Sequence, residues 1–472
     1  LRGRIIIGKK DYRAGRMGEY PAMHLTGNLK ELGFEIDRFQ TATPPRIDKR
    51  TIDFSKTKIQ EGEREPLSFS FWNEEVIHEN IPCYLTYTNK RTHEVIAENI
   101  EQSPIKSGMI DSHGPRHCPS IDRKVINFPE KARHPVFIEP EGKNTNEMYL
   151  QGLTTSMPAE IQQKVVNTVE GLEYARIIRP GYAVEYDYIV PNQVNYTLES
   201  KKIESLYFAG QIIGTSGYEE AAVQGFLAGV NAALKIKGRK PLVLTRDNSY
   251  IGVLIDDLLT KELIEPYRMY TSRAEYRLIL RSDNADTRLA GHGKRIGLIT
   301  DEKYESVIKK NEDVGNVMAG LKRVKINPTE ETNDKLKSMN TAAIEIPTDL
   351  YHLLKRPETS IGRLLEAFDK DKDIYSRQVL KQAEIRIKYE GYIKRQLAEV
   401  KKLSNLEKYV LPDWLDYYSI NNLTYEAREK LSRTRPDTMG QASRIAGISP
   451  ADISVLLMAI KQKSQQKESS GQ

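Results

Sequence analysis

The sequence predicts an α/β protein with a β-rich insertion and an all-helical carboxy-terminal region. Three observations support this fold class. Residues 206–236 read as the end of a buried strand, a glycine-rich crossing and a helix with small residues on its packed side. Residues 67–165 are rich in Thr, Tyr, Pro and Asn and poor in helical periodicity, which is typical of β structure. After residue 246, long charged amphipathic patterns predict helices that end in a polar tail.

Length and composition restrict the class of protein further. At about 150 residues per domain, the 472 residues predict about three domains. With 39% hydrophobic and 29% charged residues the chain is expected to be globular, and no apolar run reaches the roughly 18 residues of a membrane span. Only two cysteines occur, which argues against a disulfide framework and favours a reducing cytoplasm. The net charge of +6 permits an anionic partner without requiring one.

The segment FAGQIIGTSGYEEAAVQG, residues 208–225, places Gly210, Gly214 and Gly217 where the strand gives way to the helix. Glycine lets other groups approach the backbone closely, and a helix start presents free N–H groups to a polar or anionic ligand. These properties suit a nucleotide cofactor. Tight packing of the helix explains the same glycines, so both interpretations stay open at this point.

Eight further segments, in order along the chain, carry a resemblance to a known family. They are TPPRIDKRTIDFS, PCYLTYTN, GPRHCPSIDRKVINF, EPEG, RPGYAVEYDY, EPYRMYTSRAEYRLILRSDNAD, IKYEGYIKRQ and GQASRIAGISPADISVLL. Together with the glycine-rich segment, they resemble the MnmG or GidA family of tRNA uridine 5-carboxymethylaminomethyl modification enzymes. The family's GxGxxG-type FAD fingerprint is not in this chain, which also starts without methionine on the strand-like LRGRIIIG. The resemblance therefore implies an amino-terminally truncated member that covers roughly the last three quarters of the family length.

The resemblance also implies a domain layout. An FAD-binding two-dinucleotide-binding (Rossmann-like) domain is interrupted by an inserted α+β domain and followed by an all-helical domain. The expected ranges are 1–66 for the first part of the FAD-binding domain, 67–165 for the insertion with its candidate NAD site, 166–245 for the remainder, and 246–472 for the helical region that binds tRNA and a partner.

The activity implied by the resemblance is addition of a carboxymethylaminomethyl or aminomethyl group to carbon 5 of the wobble uridine. Methylenetetrahydrofolate donates the carbon, glycine or ammonia supplies nitrogen, and NADH reduces the FAD. The implied partners are tRNA and an MnmE-type GTPase, with a homodimer inside a heterotetramer in the cytoplasm and with neither metal nor membrane. The alternatives are a folate- and FAD-dependent tRNA uridine-5-methyltransferase and a non-catalytic RNA-binding fragment. The methyltransferase lacks a long carboxy-terminal helical region, so it is disfavoured.

Cys118 is the candidate nucleophile. Carbon 5 of uracil is a poor nucleophile until a group adds to carbon 6, and a thiolate can perform that addition. Arg116, Arg123 and Lys124 are close to Cys118 in sequence, and nearby cations favour the thiolate. Cys83, in the apolar context IPCYL, is interpreted as structural.

Two cofactor-binding segments follow from the resemblance. The residues expected to contact FAD are Gly210, Gln211, Gly214 and Gly217. The residues expected to contact NAD are Gly114, Arg116, Arg123, Lys124 and Phe128. A basic segment of this second kind also suits tRNA phosphates, and the residues alone do not separate the two ligands.

A cationic stripe is predicted in EPYRMYTSRAEYRLILRSDNADTR, residues 265–288. The candidate RNA-binding residues are Arg268, Arg273, Arg277 and Arg281. The last three recur every four residues, so a helix would carry them on one face. Tyrosines at 267, 270 and 276 are interleaved and could stack on unpaired bases. The alternative is a solvated helix face balanced by neighbouring carboxylates.

Two other patterns predict local structure: a pair of helices near the carboxy terminus and a stiff loop before Arg46. The stretch TRPDTMGQASRIAGISPADISVLLMAIK predicts a helix, a turn at 447–450 and a second helix. Its apolar residues Ile448, Ile453 and Leu456 suit a protein partner better than a DNA groove, and in the family these helices dock the GTPase. Pro44 and Pro45 stiffen the loop before Arg46, which could fix a guanidinium in space or simply form a rigid surface connection.

Overall fold

The computed structural model of the chain describes residues 1–63, 68–72, 80–110, 112–115, 119–368, 374–412 and 414–469. The chain divides into two compact units. One consists of Leu1–Ala228 and Glu262–Arg268, and the other consists of Gly229–Lys261 and Met269–Gln472.

The first unit combines strands and helices. Its strands are β1 (Arg4–Ile7), β2 (Lys10–Arg13), β3 (Ile36–Thr43), β4 (Arg46–Asp48), β5 (Lys58–Gln60), β6 (Cys83–Tyr87), β7 (Pro135–Pro140), β8 (Glu147–Gln151), β9 (Ile177–Arg179) and β10 (Tyr182–Ile189). Its helices are α1 (Leu25–Glu31), α2 (Lys90–Glu98), α3 (Ile121–Asn127), α4 (Ala159–Val166) and the first half of α5 (Tyr218–Ile236).

The strands of this unit form two sheets. The order of the four-stranded sheet is β2-β1-β10-β3, and the order of the six-stranded sheet is β5-β6-β7-β8-β4-β9. All pairings between these strands are antiparallel. In the described chain, parallel pairing is confined to isolated bridges, Phe39 with His113 and Thr215 with Tyr267. The α/β class and the β-rich middle region are therefore observed, while the described strands do not include the parallel sheet of a Rossmann-like domain.

The six-stranded sheet packs against α2, α3 and α4, with Ile96, Ile121 and Ile161 buried in one apolar cluster. Apolar spacing predicts a helix through 159–177, but α4 ends at Val166. Asn167 Nδ2 donates hydrogen bonds to the carbonyl oxygens of Leu172 at 2.9 Å and Ala175 at 3.0 Å. The chain turns back at this point because the asparagine side chain competes with helical hydrogen bonding.

A buried carboxylate on β10 joins the four-stranded sheet to its surroundings. Asp187 accepts hydrogen bonds from Arg2, from Arg38 Nη1 at 2.6 Å and from Thr26 Oγ1 at 2.9 Å. Burial would raise the pKa of Asp187, but these donors hold it below its usual value. The amino-terminal residues, β3 and α1 are thereby held to one strand.

The second unit is mainly helical, as the charged amphipathic patterns predict. Its helices are α6 (Tyr250–Thr260), α7 (Ala285–Ile296), α8 (Asp301–Arg323), α9 (Glu330–Ser338), α10 (Leu350–Leu354), α11 (Ile361–Phe368), α12 (Arg377–Lys388), α13 (Glu390–Glu407), α14 (Tyr425–Thr434), α15 (Met439–Arg444) and α16 (Pro450–Ser469), together with the rest of α5. A short antiparallel ribbon is formed by β11 (Lys325–Ile326) and β12 (Thr348–Asp349).

Two apolar clusters organise these helices. One lies among α8, α10, α11 and α12, and the other lies among α14, α15, α16 and residues 411–423. The apolar spacing of AEIRIKYEGYIKRQLAEVKKL predicts one amphipathic helix. The structure divides this stretch at Tyr389 into α12 and α13. The predicted helix–turn–helix at the end of the chain is confirmed, with Gly447 in the turn at φ +92°, a conformation that favours glycine.

Charged groups buried around α6 connect distant parts of the second unit. Arg246 Nη1 donates to Asp257 Oδ1 at 2.6 Å and to Asp256 Oδ2 at 3.1 Å, and its Nε and Nη2 each lie 2.8 Å from a carboxylate oxygen of Glu275. Burial would lower the pKa of Arg246, but Glu275 and the two aspartates raise it. Arg444 of α15 donates to both oxygens of Asp256, at 2.7 and 2.8 Å. Two arginines therefore fix α6 to the 273–275 segment and to α15.

Replacement of Arg246 by Met should lower the free energy of unfolding by about 3–5 kcal/mol, because Asp257 would remain a buried charge with weaker compensation. Urea unfolding measures this change. Arg50→Met is the matched control: Arg50 is exposed and pairs with Asp48 at the surface, so we expect a loss below about 1 kcal/mol. Equal and small losses in both variants would contradict the role of Arg246.

Candidate functional site

The glycine-rich segment forms a 3₁₀ turn followed by a helix. The turn covers Gly210–Ile213, and α5 begins at Tyr218. Gly210 and Gly214 have φ values of +81° and +86°, which residues with a side chain rarely adopt. The strand predicted before the turn is reduced to one bridge, between Tyr207 and Glu199. The crossing into a helix is confirmed, with a much shorter strand than the apolar run predicts.

Protein neighbours explain two of the three candidate glycines. A Cβ atom at Gly214 would lie 2.7 Å from Leu263 Cδ1, and a Cβ atom at Gly217 would overlap the Glu220 side chain. At Gly210, no atom comes closer to such a Cβ than 3.4 Å, so its positive φ is the main constraint. Close packing therefore accounts for Gly214 and Gly217 even without a ligand.

Two buried polar atoms beside this turn have no hydrogen-bond partner in the part of the chain that the structure describes. They are the Tyr186 hydroxyl and Gln224 Nε2. Gln224 Oε1 is used, because it accepts from Gly210 N at 2.8 Å and from Thr215 Oγ1 at 3.0 Å. Burial raises the pKa of Tyr186, and the Gln211 side chain, which approaches the hydroxyl oxygen without the geometry of a full hydrogen bond, opposes the rise, so the hydroxyl stays protonated at neutral pH. An unpaired buried donor costs stability, and a polar ligand here would remove that cost.

The start of α5 is acidic. Glu219 and Glu220 occupy its first turn, where carboxylates interact favourably with the helix dipole and repel a second anion. Arg268 Nη1 donates to the Ser216 carbonyl at 3.1 Å, and its Nε lies 3.8 Å from Glu220 Oε1. The turn therefore suits an uncharged polar part of a ligand better than a phosphate.

Residues 112–115, which include the first candidate NAD residue, Gly114, lie beside β3 of the four-stranded sheet. The Gln40 N–H donates to the His113 carbonyl at 3.0 Å, and Ser112 Oγ donates to Glu185 Oε1 at 2.6 Å. A Cβ atom at Gly114 would overlap the Gln40 side chain. A side chain at position 114 would therefore have to displace the Gln40 side chain of β3.

The other described candidates for NAD lie on or next to α3. Arg123 is half-buried and forms no ion pair with any described residue. Lys124 Nζ donates to the Gly152 carbonyl at 3.4 Å. Phe128 directly follows the helix and is 45% exposed. Two cationic side chains and an exposed ring therefore lie on or next to one helix.

Buried polar atoms also occur where α3 begins. Ser120 Oγ and Asp122 Oδ1 have no hydrogen-bond partner among the described residues, although Asp122 Oδ2 accepts from Ser103 Oγ at 2.7 Å. The candidates Arg116 and Cys118 immediately precede this position in sequence and lie outside the described residues. The start of α3 is therefore a second place where a polar ligand would satisfy buried groups.

Two neighbouring residues of β10 contact or lie near residues close to the two candidate cofactor segments. Side chains alternate between the two faces along a β-strand. Glu185, which binds Ser112, and Tyr186, which neighbours Gln211, are consecutive residues of β10. Ser112 and Gln211 therefore meet β10 from opposite faces, while His113 lies beside β3 in the plane of the sheet.

The segment with the candidate RNA-binding arginines is not a helix. It contains 3₁₀ turns at Thr271–Arg273 and Ser282–Asn284, joined by extended and irregular backbone. The predicted helical stripe is therefore wrong. Tyr267 and Tyr276 are 1% and 6% exposed, so they do not present faces to unpaired bases. The physical reason is Arg246. Its Nη2 donates to the Arg273 carbonyl at 3.2 Å and to the Glu275 carboxylate, and these bonds stabilise a non-helical backbone at residues 273–275.

The candidate arginines differ in whether they already form ion pairs with carboxylates of the chain. Arg281 Nε lies 3.1 Å from Asp283 Oδ1, and Arg273 lies 3.9 Å from Asp257. Arg277 is exposed and makes no ion pair with the described residues. Of this set, Arg277 offers the most accessible charge to an anionic partner.

The apolar residues expected to form a docking face belong to a core instead. Leu456 and Ile453 are buried, and Ile448 packs against the same cluster as α14 and α15. Asp452 also points inward, where it accepts from the N–H groups of Thr424 and Ser449, both at 3.0 Å. The docking face predicted from these apolar residues is wrong, because their helical spacing serves the bundle itself.

Three residues of functional interest escaped the sequence analysis. Tyr186 and Gln224 lack any motif, and only the alternation in YAVEYDYI signals a buried tyrosine face on β10. Arg246 has a partial signal, since two adjacent aspartates in the otherwise apolar helix YIGVLIDDLLT call for a buried cation. The sequence does not say which cation meets them.

Cys83 fits its structural interpretation. It is half-buried on β6. Burial raises the pKa of its thiol, and the charge of Glu139 adds to the rise, so the thiolate is disfavoured. Within the described residues, no helix has the length and apolarity required to cross a membrane, and no three His, Cys, Asp or Glu residues gather as a metal site.

Comparisons with known proteins decide the family. Residues 1–240 match the family described as glucose inhibited division protein A. Residues 301–397 match the C-terminal helical domain, and residues 399–472 the C-terminal helical bundle, of the tRNA modifying enzyme MnmG/GidA. The chain belongs to the MnmG/GidA family. The matched helical region is the one that the tRNA uridine-5-methyltransferase lacks, so it agrees with the expectation that the chain is not such a methyltransferase.

Individual MnmG/GidA proteins match over nearly the whole chain. The tRNA uridine 5-carboxymethylaminomethyl modification enzymes MnmG of Caldicellulosiruptor saccharolyticus and Geobacillus thermodenitrificans are 51% and 50% identical over 98% of this chain, which spans 74% and 73% of their lengths. The form II crystal structure of Aquifex aeolicus GidA matches with a TM-score of 0.85 at 40% identity, covering 98% of this chain and 73% of that one. The shared fold therefore extends over both units.

Proposed function

We propose that this chain is the FAD-dependent subunit of a complex that adds a carboxymethylaminomethyl or aminomethyl group to carbon 5 of the wobble uridine of tRNA. The observation that carries the proposal is the 51% identity, over 98% of the chain, to a protein named for this modification. Methylenetetrahydrofolate would donate the carbon and glycine or ammonia the nitrogen. The proposed place of action is the cytoplasm.

The polar groups beside the glycine-rich turn support FAD on the Tyr186 face of β10. FAD, once reduced by NADH, would supply the hydride for the reaction. The Tyr186 hydroxyl and Gln224 Nε2 are buried donors without acceptors in the described chain, so they fit a ligand with carbonyl and hydroxyl groups. The acidic start of α5 keeps anionic groups away from this end. We assign the turn, with Gln211, to contacts with the uncharged part of FAD within the two-dinucleotide-binding domain.

Residues around α3, which packs against the six-stranded sheet, support the binding of NADH. Arg116, Arg123 and Lys124 would pair with its pyrophosphate, and the exposed ring of Phe128 offers a stacking surface. The buried polar atoms at the start of α3 add groups that a ribose could satisfy. Gly114 is proposed to belong to this site because a residue without a side chain lets the ligand approach the backbone closely.

Cys118 is proposed as the nucleophile. Its thiolate forms a bond with carbon 6 of the uracil, and the electron pair of the C5=C6 bond makes carbon 5 nucleophilic. Carbon 5 then bonds to the methylene carbon of methylenetetrahydrofolate as the bond from that carbon to one folate nitrogen breaks, and the nitrogen of glycine or ammonia later replaces the other folate nitrogen. Loss of the carbon 5 proton expels the thiolate and restores the double bond. Arg123 and Lys124 would favour the thiolate form.

Cys118→Ser should abolish modification while FAD and tRNA binding remain near normal, because the thiol is needed for bond formation and not for packing. Mass spectrometry of tRNA nucleosides measures the product, and flavin absorbance and tRNA retention measure binding. Cys83→Ser is the control, since Cys83 is proposed to be structural, and it should keep modification. Retained modification in Cys118→Ser would remove the thiol from the mechanism.

The arginines of the 268–281 segment are proposed to contact tRNA phosphates. Arg277 carries most of this proposal because its charge is exposed, whereas Arg268, Arg273 and Arg281 also have carboxylates or carbonyl oxygens near them. Their partners hold these three side chains in place, so a phosphate would have to compete with them. Recognition by this segment would depend on the backbone of the tRNA and not on its bases.

Arg277→Ala should weaken tRNA binding and reduce the slope of log K against log salt by about one phosphate equivalent, whatever the anticodon-loop sequence. Fluorescence anisotropy at several salt concentrations measures the slope. Arg50→Ala, another exposed arginine, should leave it unchanged. A normal slope in Arg277→Ala would mean that this guanidinium faces solvent in the complex.

An MnmE-type GTPase is the proposed protein partner, with a homodimer of this chain inside a heterotetramer. The carboxy-terminal bundle remains the proposed docking region, but through surface residues and not through its core. Tyr418, Tyr425 and Met458 are large apolar side chains of the bundle that stay exposed, at 53%, 75% and 62%. Such residues are typical of interface centres.

Reconstitution tests the whole proposal. The chain, with the GTPase, FAD, NADH, methylenetetrahydrofolate and tRNA, should produce 5-carboxymethylaminomethyluridine with glycine and 5-aminomethyluridine with ammonium, detected by mass spectrometry. Omission of NADH is the control and should stop both products. Formation of 5-methyluridine in the T loop would favour the methyltransferase, and binding of tRNA without any product would favour the non-catalytic RNA-binding fragment.

A further inference from the structure

A pocket of about 320 Å³ in the first unit has no role in the function described so far. Its charged and polar lining consists of Arg16, Glu19, Arg46, Glu141, Arg179 and Tyr182. Three guanidinium groups and two carboxylates make its lining positive by one charge. This mixture of signs suits a small ligand that carries both charges better than it suits a polyanion.

Arg46 is held rigidly at the wall of this pocket. Its Nη1 donates to Thr43 Oγ1 at 2.5 Å and to the Pro44 carbonyl at 2.9 Å, and its Nε donates to Glu141 Oε1 at 2.6 Å. The guanidinium also lies over the Tyr149 ring, 4.6 Å from the centroid. Its Nη2 has no hydrogen-bond acceptor among the described residues. The diproline loop thus fixes one guanidinium with a donor group left for a ligand.

The pocket shares a strand with the Tyr186 site. Tyr182 is the first residue of β10, and its hydroxyl accepts from the Met17 N–H at 3.2 Å. Arg16 Nη2 lies 2.6 Å from Glu19 Oε1, so these two exposed side chains form an ion pair at the pocket. Tyr182 and Tyr186 are four residues apart on β10 and so point to the same face of that strand.

We propose that this pocket binds the carboxylate of an α-amino acid, with Arg46 as the carboxylate partner and Glu141 as the partner of the ammonium group. This inference rests on the proposed function, in which glycine is a substrate. The glutamyl tail of the folate is a second source of a carboxylate. It brings no ammonium group for Glu141, so the paired charges favour the amino acid.

Binding of free ligands tests the site without the modification reaction. Saturation-transfer NMR on the chain should show the glycine methylene signal, and Arg46→Gln should weaken binding about tenfold or more, because a charge-assisted hydrogen bond is lost. Arg50→Gln, outside the pocket, should bind glycine as the parent does. If p-aminobenzoylglutamate binds and glycine does not, or if neither responds to Arg46→Gln, the proposal is overturned.

A second measurement separates the nitrogen donors. In the reconstituted reaction, the ratio of kcat/KM for glycine to that for ammonium should fall about tenfold or more in Arg46→Gln, since ammonium has no carboxylate. Arg16→Gln, at an exposed position that tolerates change, should lower the same ratio, and circular dichroism confirms that both variants fold. An unchanged ratio would place the glycine site elsewhere. Absence of product in the parent chain would instead refute the proposed function. The NMR experiment would still test the amino-acid site, because it measures binding without the reaction.

Discussion

The first unit depends on the alternation of side chains along β10. This strand pairs with β1 on one side and with β3 along its full length on the other. Its acidic side chains bind arginines and Thr26 on one face, and its tyrosines build the apolar and polar surface on the opposite face. Because consecutive residues point to opposite sides, β10 binds Ser112 through Glu185 on one face and lies beside Gln211 through Tyr186 on the other.

Buried ion pairs organise the second unit, as β10 organises the first. The adjacent aspartates of α6 lie in its buried part and can remain charged only with cations beside them. Arg246 supplies one such charge from just before the helix, and Arg444 supplies another from a distant part of the sequence. The same contacts decide the backbone path of residues 273–275. Tertiary electrostatics therefore overrides the four-residue spacing that suggested a helix, and it leaves Arg277 as the accessible cation of that segment.

Glycine illustrates how one residue type serves several constraints. Gly210 and Gly214 adopt left-handed backbone, Gly214 is also closely packed against Leu263, and Gly217 packs against the Glu220 side chain. The polar atoms that favour a ligand belong to Tyr186 and Gln224, which no glycine pattern indicates. At this turn, the chemistry of the cofactor site is carried by residues outside the motif that drew attention to it.

Sequence by itself determined the α/β class, the β-rich middle region, the helical second half and the crossing from the glycine-rich turn into α5, because apolar periodicity and glycine placement act locally. The ordered family segments determined the MnmG/GidA resemblance, which the comparisons confirm. Only the tertiary structure decided that Ile453 and Leu456 are core residues, that Tyr267 and Tyr276 are buried, and that the arginine segment is not helical. Those outcomes depend on partners far away in sequence, such as Arg246 for the arginine segment and the bundle core for α16, and no local pattern encodes which distant side chain will satisfy a buried charge or cover an apolar face.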